Sequence, residues 1–180
     1  VVLLLDYWKF FDAFEPEWVC DFLLAVGLDP DLCHSVKDLY SNIIRHIKLK
    51  GTYGQAITGT NGLGQGDSLS MMVALVFVSI QFRYLDAKHP NITKGSCLDD
   101  RNIRGSHEDV MRANDDIKKI DAAAGHYSNP AKLAATATTQ AGRDKLRREI
   151  VGTDAEEKPI PLRVFLVEPL VGDALVTKKA

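Results

Sequence analysis

The stretch VVLLLDYWKFFDAF, residues 1–14, decides the fold, because a fully apolar run ends at a carboxylate. Residues 1–6 predict a short buried strand with Asp6 at its end. A second acidic site, Asp99 and Asp100, lies in KGSCLDDRNIRG (94–105), which predicts two short strands joined by a turn. Carboxylates from two distant strand ends can meet in space and hold divalent metal ions. Two metals about 4 Å apart serve in-line attack on a phosphate, so the pattern indicates nucleotidyl transfer.

Composition limits the class of protein. The 180 residues make one domain or part of one, and 46% hydrophobic with 26% charged residues argues against a disordered chain. The net charge of −2 excludes a uniformly basic nucleic-acid clamp, so such a partner would need a local basic face or further segments. An apolar strand that starts at Val1 suggests that sequence precedes it.

The cysteines and the longest apolar stretch indicate the cellular compartment of the protein and whether it associates with a membrane. Cys20, Cys33 and Cys97 show no metal-ligand spacing, and free thiols fit a reducing, intracellular compartment (cytoplasm, nucleus or both). The stretch Leu69–Leu85 is short and interrupted by polar residues, which favours a core helix and no membrane partner. The five histidines show no ligand spacing and are expected at the surface.

The remaining segments predict an α+β fold, a small, mostly antiparallel sheet with helices on one face. Helices are expected to start at Glu15, Asp29, Asp67 or Ser68, and Ser106, because acids, prolines and capping residues precede apolar periodic runs. The second of these helices is expected to continue to Lys48–Gly51. Extended or helical segments are expected at 53–60 (strand), 94–104 (hairpin), 130–139 (extended), 141–150 (helix) and 162–167 (strand).

Four motifs in this order resemble the palm of reverse transcriptases, most closely those of non-LTR (LINE-type) retrotransposons. The motifs are LDYWKFFD (5–12), GLGQGDSLS (62–70), CLDD (97–100), and Gly125 followed by NPAK (129–132). The Gly-Gln-Gly-Asp-x-Leu-Ser turn is the most specific, whereas an Asp-Asp pair alone means little; a second pair, Asp115-Asp116, is expected on a solvated helix face. The sequence departs from the family at Cys97, where an aromatic is usual, and at Gly64, where a basic residue is frequent.

The resemblance implies a palm over residues 1–139 and a C-terminal extension over 140–180, the end of the palm or its junction to a thumb, with fingers and thumb largely missing. It implies an RNA-directed DNA polymerase that uses dNTPs, an RNA template, a DNA primer and two Mg²⁺ ions. Asp6 and Asp99 would bind the metals, with Asp100 as a supporting ligand or neighbouring acid. Lys132 would protonate the leaving pyrophosphate.

The resemblance also implies a nucleotide pocket. Phe11 would exclude a 2′-hydroxyl by steric clash, and Gln65 and Gly66 would shape the pocket near the template base. Simpler interpretations remain open: Asp6 as a strand end, Phe11 as core packing, Asp67 or Ser68 as a helix cap, and Lys132 as an exposed lysine. Two other functions also remain open, an inactive palm remnant and, less favoured, a metal-dependent phosphohydrolase.

Overall fold

The computed structural model describes residues 1–59, 61–169 and 175–179. The chain divides into two compact units. The first comprises Val1–Trp8, Val78–Ala123 and Tyr127–Ala180, and the second comprises Lys9–Phe77 and Ala124–His126. The expected boundary between a palm and an extension at 139/140 is a different division and stays a prediction; part of that extension lies outside the described residues.

Helices and strands alternate irregularly along the chain. The helices are α1 (Phe10–Ala13), α2 (Pro16–Ala25), α3 (Pro30–Ser41), α4 (Ser68–Lys88), α5 (His107–Ala123) and α6 (Gln140–Leu146). The strands are β1 (Val2–Leu5), β2 (Ile44–Leu49), β3 (Thr52–Thr58), β4 (Thr93–Cys97), β5 (Asp100–Arg104), β6 (Ala134–Thr136), β7 (Ile150–Thr153), β8 (Pro159–Pro161), β9 (Arg163–Pro169) and β10 (Leu175–Lys179).

The first unit is built on a six-stranded sheet in the order β10-β9-β6-β1-β5-β4. Neighbouring strands are antiparallel except β6 and β9, which are parallel. Helices and a mostly antiparallel sheet confirm the predicted α+β class. The predicted hairpin at 94–104 is also confirmed as β4 and β5.

Strand β1 lies inside this sheet and alternates between its two faces. Leu3 and Leu5 are buried, whereas Leu4 between them is 46% exposed. This two-residue period places Leu3, Leu5 and Tyr7 on the face that becomes core. Asp6 follows on the opposite, more open side.

The second unit has an aromatic core. The rings of Phe10, Phe14 and Phe77 contact one another and the imidazole of His126. His126 is only 1% exposed, and its two nitrogens lie 2.9 and 3.1 Å from the carbonyl oxygens of Ala124 and Phe10. The prediction that all five histidines lie at the surface is therefore wrong for His126, because aromatic neighbours surround it.

The second predicted helix stops earlier than its periodicity suggests. It ends as α3 at Ser41, and Ile44–Leu49 forms strand β2 instead. Lys50 and Gly51 have φ values of 48° and 85°, the left-handed pair that closes a tight two-residue hairpin. Ile44 and Ile47 fit a helical stripe, but β-branched residues before a turn of this kind pair as a strand.

Helix α4 is long and carries both buried and exposed apolar residues. Val73, Ala74 and Phe77 are buried, whereas Met71 and Leu75 are 41% and 50% exposed. It is thus a core helix along one face only. By length and composition alone it could also cross a membrane, a criterion that core helices of soluble proteins meet as well; 39% of its most apolar window is buried.

Candidate nucleotidyl-transfer site

Asp6, Asp99 and Asp100 lie at the same end of two adjacent strands in the first unit. The pairing of β1 with β5 ends at Leu5 opposite Arg101. Asp6 is the next residue of one strand, and Asp100 is the preceding residue of the other. Neighbouring strands lie about 4.8 Å apart, so the sheet brings these chain-distant carboxylates to one edge.

Asp99 occupies the tight turn between β4 and β5. Cys97 pairs with Asp100, which leaves Leu98 and Asp99 as the two turn residues. Leu98 adopts a left-handed φ of 57°. Asp100 is exposed and Asp99 is partly exposed, so a solvated ion can reach both carboxylates.

The segment after α5 brings Lys132 to Asp6. The backbone N–H of Asn129 donates to the Asp6 carbonyl oxygen at 2.8 Å, and the Asn129 side chain accepts from the Ala131 N–H at 3.1 Å. The turn that results places the Lys132 Nζ 3.3 Å from Asp6 Oδ1 and 3.4 Å from Oδ2. Lys132 is 61% exposed along its side chain, so this ion pair adds little to stability.

A buried polar network lies on the opposite face of the same two strands. Arg101 Nη1 donates to the Tyr7 hydroxyl at 2.9 Å, to Gln81 Oε1 at 2.6 Å and to Asp121 Oδ1 at 3.1 Å. The Tyr7 hydroxyl donates to Asp121 Oδ2 at 2.7 Å, and burial, above the other causes, raises the pKa of Tyr7. Tyr7 follows Asp6 and Arg101 follows Asp100, so the network joins the two strands directly behind the carboxylates.

The sequence reasoning missed this network, although a signal was present. Side chains alternate along a strand, so a polar residue next to each exposed carboxylate had to point into the core. A buried polar group requires a partner. Tyr7 and Arg101 were therefore predictable as partners of one another, whereas Gln81 and Asp121 were not.

The carboxylates suit a magnesium ion that keeps water and substrate ligands. Asp6 Oδ1 is buried and accepts no hydrogen bond within the described part of the chain, although Lys132 lies close to it. No group of three or more His, Cys, Asp or Glu residues among those described is arranged to hold a metal ion. Mg²⁺ is commonly held by one or two carboxylates together with phosphates and water, so this site fits a metal that arrives with its substrate.

The Gly-rich turn of residues 62–70 belongs to the second unit, together with Phe11. The N–H of Leu63 donates to the Phe11 carbonyl oxygen, and that of Gly62 donates to the Phe14 carbonyl oxygen, both at 2.8 Å. The structure thus brings the Phe11 backbone next to the turn that carries Gln65 and Gly66. Gln65 and Gly66 are exposed, and Phe11 is partly exposed.

The turn is closed by the residues that follow it. Ser70 is fully buried, and its hydroxyl donates to the carbonyl oxygens of Gly64 and Asp67 at 2.5 and 2.7 Å. Asp67 Oδ1 accepts from the Leu69 N–H at 3.3 Å, so Asp67 caps α4 as predicted. Its other oxygen accepts from the Tyr40 hydroxyl, and this bond, above the other causes, lowers the pKa of Asp67.

Arg45 is a further neighbour of this turn that the motifs do not indicate. A Cβ atom added at Gly59 or at Gly62 would lie 3.1 Å from an Arg45 guanidinium nitrogen. Gly62 also has a φ of +103° and lies against Asp12. A side chain at position 62 would therefore displace Arg45, which explains the glycine in physical terms.

A separate ionic cluster lies on α5, away from the motifs. Asp116 is 6% exposed and contacts Lys88 at 2.9 Å and His89 at 2.8 Å. The hydrogen bond with Lys88, which is the largest cause, and the one with His89 lower the pKa of Asp116. Asp116 is thus not on a solvated face as predicted, whereas Asp115 is exposed. A cleft of about 500 Å³ beside this cluster contains none of the predicted site residues.

Comparison with known proteins gives matches in structure alone. No protein-family model and no curated protein sequence matches the chain. A structure of telomerase from Candida tropicalis in complex with the TWJ fragment of telomeric RNA matches with a TM-score of 0.58 and 14% identity, over 74% of this chain and 25% of the telomerase chain. The chain has a reverse-transcriptase-like fold. Apo telomerase from the same organism, truncated from its C-terminal domain, matches with a TM-score of 0.55 and 16% identity, over 74% and 30%.

These matches have a limited span. The chain covers between a quarter and about a third of the telomerase chains it resembles. At such identities the likeness concerns the fold. The catalytic residues, the metal and the LINE-type assignment therefore rest on the motifs and on the geometry within each unit.

Proposed function

We infer that the chain is the palm of an RNA-dependent DNA polymerase from a non-LTR (LINE-type) retroelement. It would act in the extension of a DNA primer on an RNA template with dNTPs. One observation supports this above the others: Asp6 and the Asp99-Asp100 turn lie at the same end of adjacent strands, within a reverse-transcriptase-like fold.

The carboxylates would hold the metal ions of this reaction. Asp6 and Asp99 would each offer hard oxygen ligands, with Asp100 beside them. When bound, two Mg²⁺ ions would activate the primer 3′-hydroxyl and stabilise the pyrophosphate. The chain's own contribution is to keep the carboxylates at one edge, through the β1–β5 pairing and the network of Tyr7, Arg101 and Asp121.

Lys132 would serve the leaving group. Its ammonium already lies against Asp6, so it is available at the carboxylate edge without a large rearrangement. It would donate a proton from Nζ to the oxygen of the departing pyrophosphate. The same charge repels a metal from Asp6, so Lys132 would have to leave Asp6 as the ion binds.

The resemblance to the family assigns the nucleotide contacts to Phe11, Gln65 and Gly66. Phe11 would lie under the sugar and exclude a 2′-hydroxyl by clash, which favours dNTPs. Gln65 and Gly66, exposed in the turn that hydrogen-bonds to the Phe11 segment, would contact the nucleotide and template base. Gly66 has a φ of +86°, a left-handed conformation that glycine adopts without steric cost.

The test is extension of a labelled DNA primer on an RNA template by the 180-residue chain with Mg²⁺ and dNTPs. We expect extension by the wild type and a loss of at least about 100-fold in Asp99→Asn, because metal stabilisation amounts to several kcal/mol. Asp115→Asn is the matched control, since Asp115 is an exposed aspartate on α5. Equal extension by Asp99→Asn and wild type would refute the metal assignment.

Other outcomes separate the rival functions. A folded chain that extends no primer would support a non-catalytic palm. Mg²⁺-dependent release of phosphate from simple esters, lost in Asp6→Asn, would instead support a phosphohydrolase. Faster incorporation of ribonucleotides by Phe11→Ala would support the steric filter.

A further inference from the structure

The hairpin of β2 and β3 is open on both faces. Every residue of Ile44–Leu49 and of Thr52–Thr58 is exposed. A two-stranded hairpin of this kind is marginally stable by itself in water, so a ribbon that leaves both faces bare is suited to a partner. The strands twist around a register shift between His46 and Lys48, which bends the ribbon.

The charge of this ribbon differs from that of the chain. Residues 39–66 contain Arg45, Lys48 and Lys50 and no acidic residue, whereas the whole chain has a net charge of −2. Within the described residues none of these three cations forms an ion pair. The ribbon therefore presents uncompensated positive charge, which complements a polyanion.

One face of the ribbon combines cations with an aromatic ring. The Lys48 ammonium lies 5.1 Å from the centre of the Tyr53 ring, and the His46 ring lies edge-on at 6.3 Å. Tyr53 is 64% exposed. An exposed ring beside an ammonium group is an arrangement that can stack an unpaired base and neutralise a neighbouring phosphate. The other face carries Arg45, Ile47, Leu49 and Ile57, since Arg45 pairs with Ile57, and none of these four is aromatic.

The base of the ribbon adjoins the Gly-rich turn. Arg45 projects towards Gly59 and Gly62, as the 3.1 Å approach to a Cβ at either position shows. Arg45 thus connects the base of the ribbon with the turn that carries Gln65 and Gly66, the residues proposed to contact the nucleotide, and Asp12 lies beside Gly62.

We propose that the face of the β2–β3 hairpin with His46, Lys48 and Tyr53, together with Lys50 in the turn at its tip, binds single-stranded RNA, the template strand next to the nucleotide turn. Lys48 and Lys50 contact phosphates, and Tyr53 stacks on an unpaired base. The identification of this strand as template rests on the proposed function. Binding itself can be measured without any polymerase activity.

Binding is tested by fluorescence anisotropy with a labelled single-stranded RNA of mixed sequence, titrated at several salt concentrations. Removing two phosphate contacts should reduce the slope of log K against log salt by about 1.4, since each contact contributes about 0.7 on a single strand. The variant is Lys48→Gln with Lys50→Gln. The matched control is Lys145→Gln with Arg148→Gln, which makes the same charge change at exposed positions at and just after α6.

Stacking is tested separately with Tyr53→Leu, which keeps apolar bulk without a ring. We expect affinity to fall about 5- to 150-fold, with the salt slope unchanged. Circular dichroism checks that each variant retains its fold; all substituted residues are exposed. An unchanged salt slope in the double lysine variant, or an equal loss in the control, would overturn the proposal, as would absence of RNA binding by the wild type.

The outcomes separate this proposal from the polymerase assignment. Hairpin-dependent RNA binding by a chain that extends no primer would uphold the RNA surface and refute catalysis. Normal extension together with unchanged RNA binding by the double lysine variant would refute the RNA surface alone. Self-association that Ile47→Thr abolishes, with no effect of Tyr53→Leu on RNA, would assign the ribbon to a protein partner and overturn the proposal.

Discussion

The carboxylate edge of β1 and β5 and the β2–β3 ribbon differ in the burial and the pairing of their charged side chains. Behind the carboxylate edge, Arg101 and Asp121 are 1% and 2% exposed along their side chains and bonded to Tyr7 and Gln81. On the ribbon, Lys48 and Lys50 are exposed and form no ion pair with any residue that the structure describes. Buried polar bonds fix the geometry of the carboxylate edge, whereas the charge of the ribbon remains available for a partner.

The largest effect should come from the buried network. Arg101→Met leaves Asp121 buried without its cation, and we expect a loss of about 3–5 kcal/mol in the free energy of unfolding. Urea unfolding followed by circular dichroism measures it. Arg147→Met is the control, because Arg147 pairs with Asp144 at 2.7 Å but both are exposed, and it should cost about 1 kcal/mol or less. Equal losses would contradict the contrast between buried and exposed charge.

The next effect concerns the glycines of the nucleotide turn. Gly66→Ala places a side chain at φ +86° in open space, at a cost of about 1–2 kcal/mol. Gly62→Ala adds contacts at 3.1 Å with Arg45 and 3.3 Å with Asp12, so it should cost more than Gly66→Ala. Urea unfolding of both variants compares them. A smaller loss for Gly62→Ala would show that Arg45 moves away freely and that the ribbon is not joined to the turn.

The buried tyrosine behind the carboxylate edge, Tyr7, should make the stability of the fold depend on pH. Burial raises the pKa of Tyr7 above that of an unfolded tyrosine, about 10. A group whose folded pKa is raised contributes stability below its unfolded pKa and loses that contribution as the pH rises beyond it. Stability should thus decline above about pH 10, and Tyr7→Phe should lessen the decline. Thermal unfolding at pH 8 and about pH 11 tests this, and an identical decline in Tyr7→Phe would contradict it.

The smallest effect should come from the apolar side of the ribbon. Ile47 is 67% exposed, so Ile47→Thr should change the free energy of unfolding by no more than about 0.5 kcal/mol. Urea unfolding at low protein concentration is the measurement. A loss well above 1 kcal/mol would mean that Ile47 is packed in solution and that the ribbon is not open.

Much of the carboxylate edge was predictable, because short-range signals and motif order agree there. The apolar run before Asp6, the two strands around Asp99 and the cap at Asp67 all form as expected. Local patterns determine a strand or a cap, and the alternation of β1 then fixes which side faces the core.

The parts that sequence missed depend on partners far along the chain. His126 and Asp116 were expected at the surface, but three aromatic rings enclose the first and Lys88 with His89 pairs the second. The stripe from Val36 to Ile47 suited a helix, and only the left-handed pair Lys50-Gly51 distinguishes the hairpin. Arg45 was missed because its neighbour, the Gly62 turn, lies 17 residues away in sequence.

The central claim is that Asp6 and Asp99 bind a divalent cation together, and titration with Mn²⁺ followed by electron paramagnetic resonance tests it most directly. We expect Asp6→Asn and Asp99→Asn each to weaken Mn²⁺ binding at least about tenfold. The double variant should lose less than the product of the two, because both carboxylates act on the same ions, and Asp115→Asn should bind as the wild type does. Wild-type Mn²⁺ affinity in Asp6→Asn or Asp99→Asn would contradict the account.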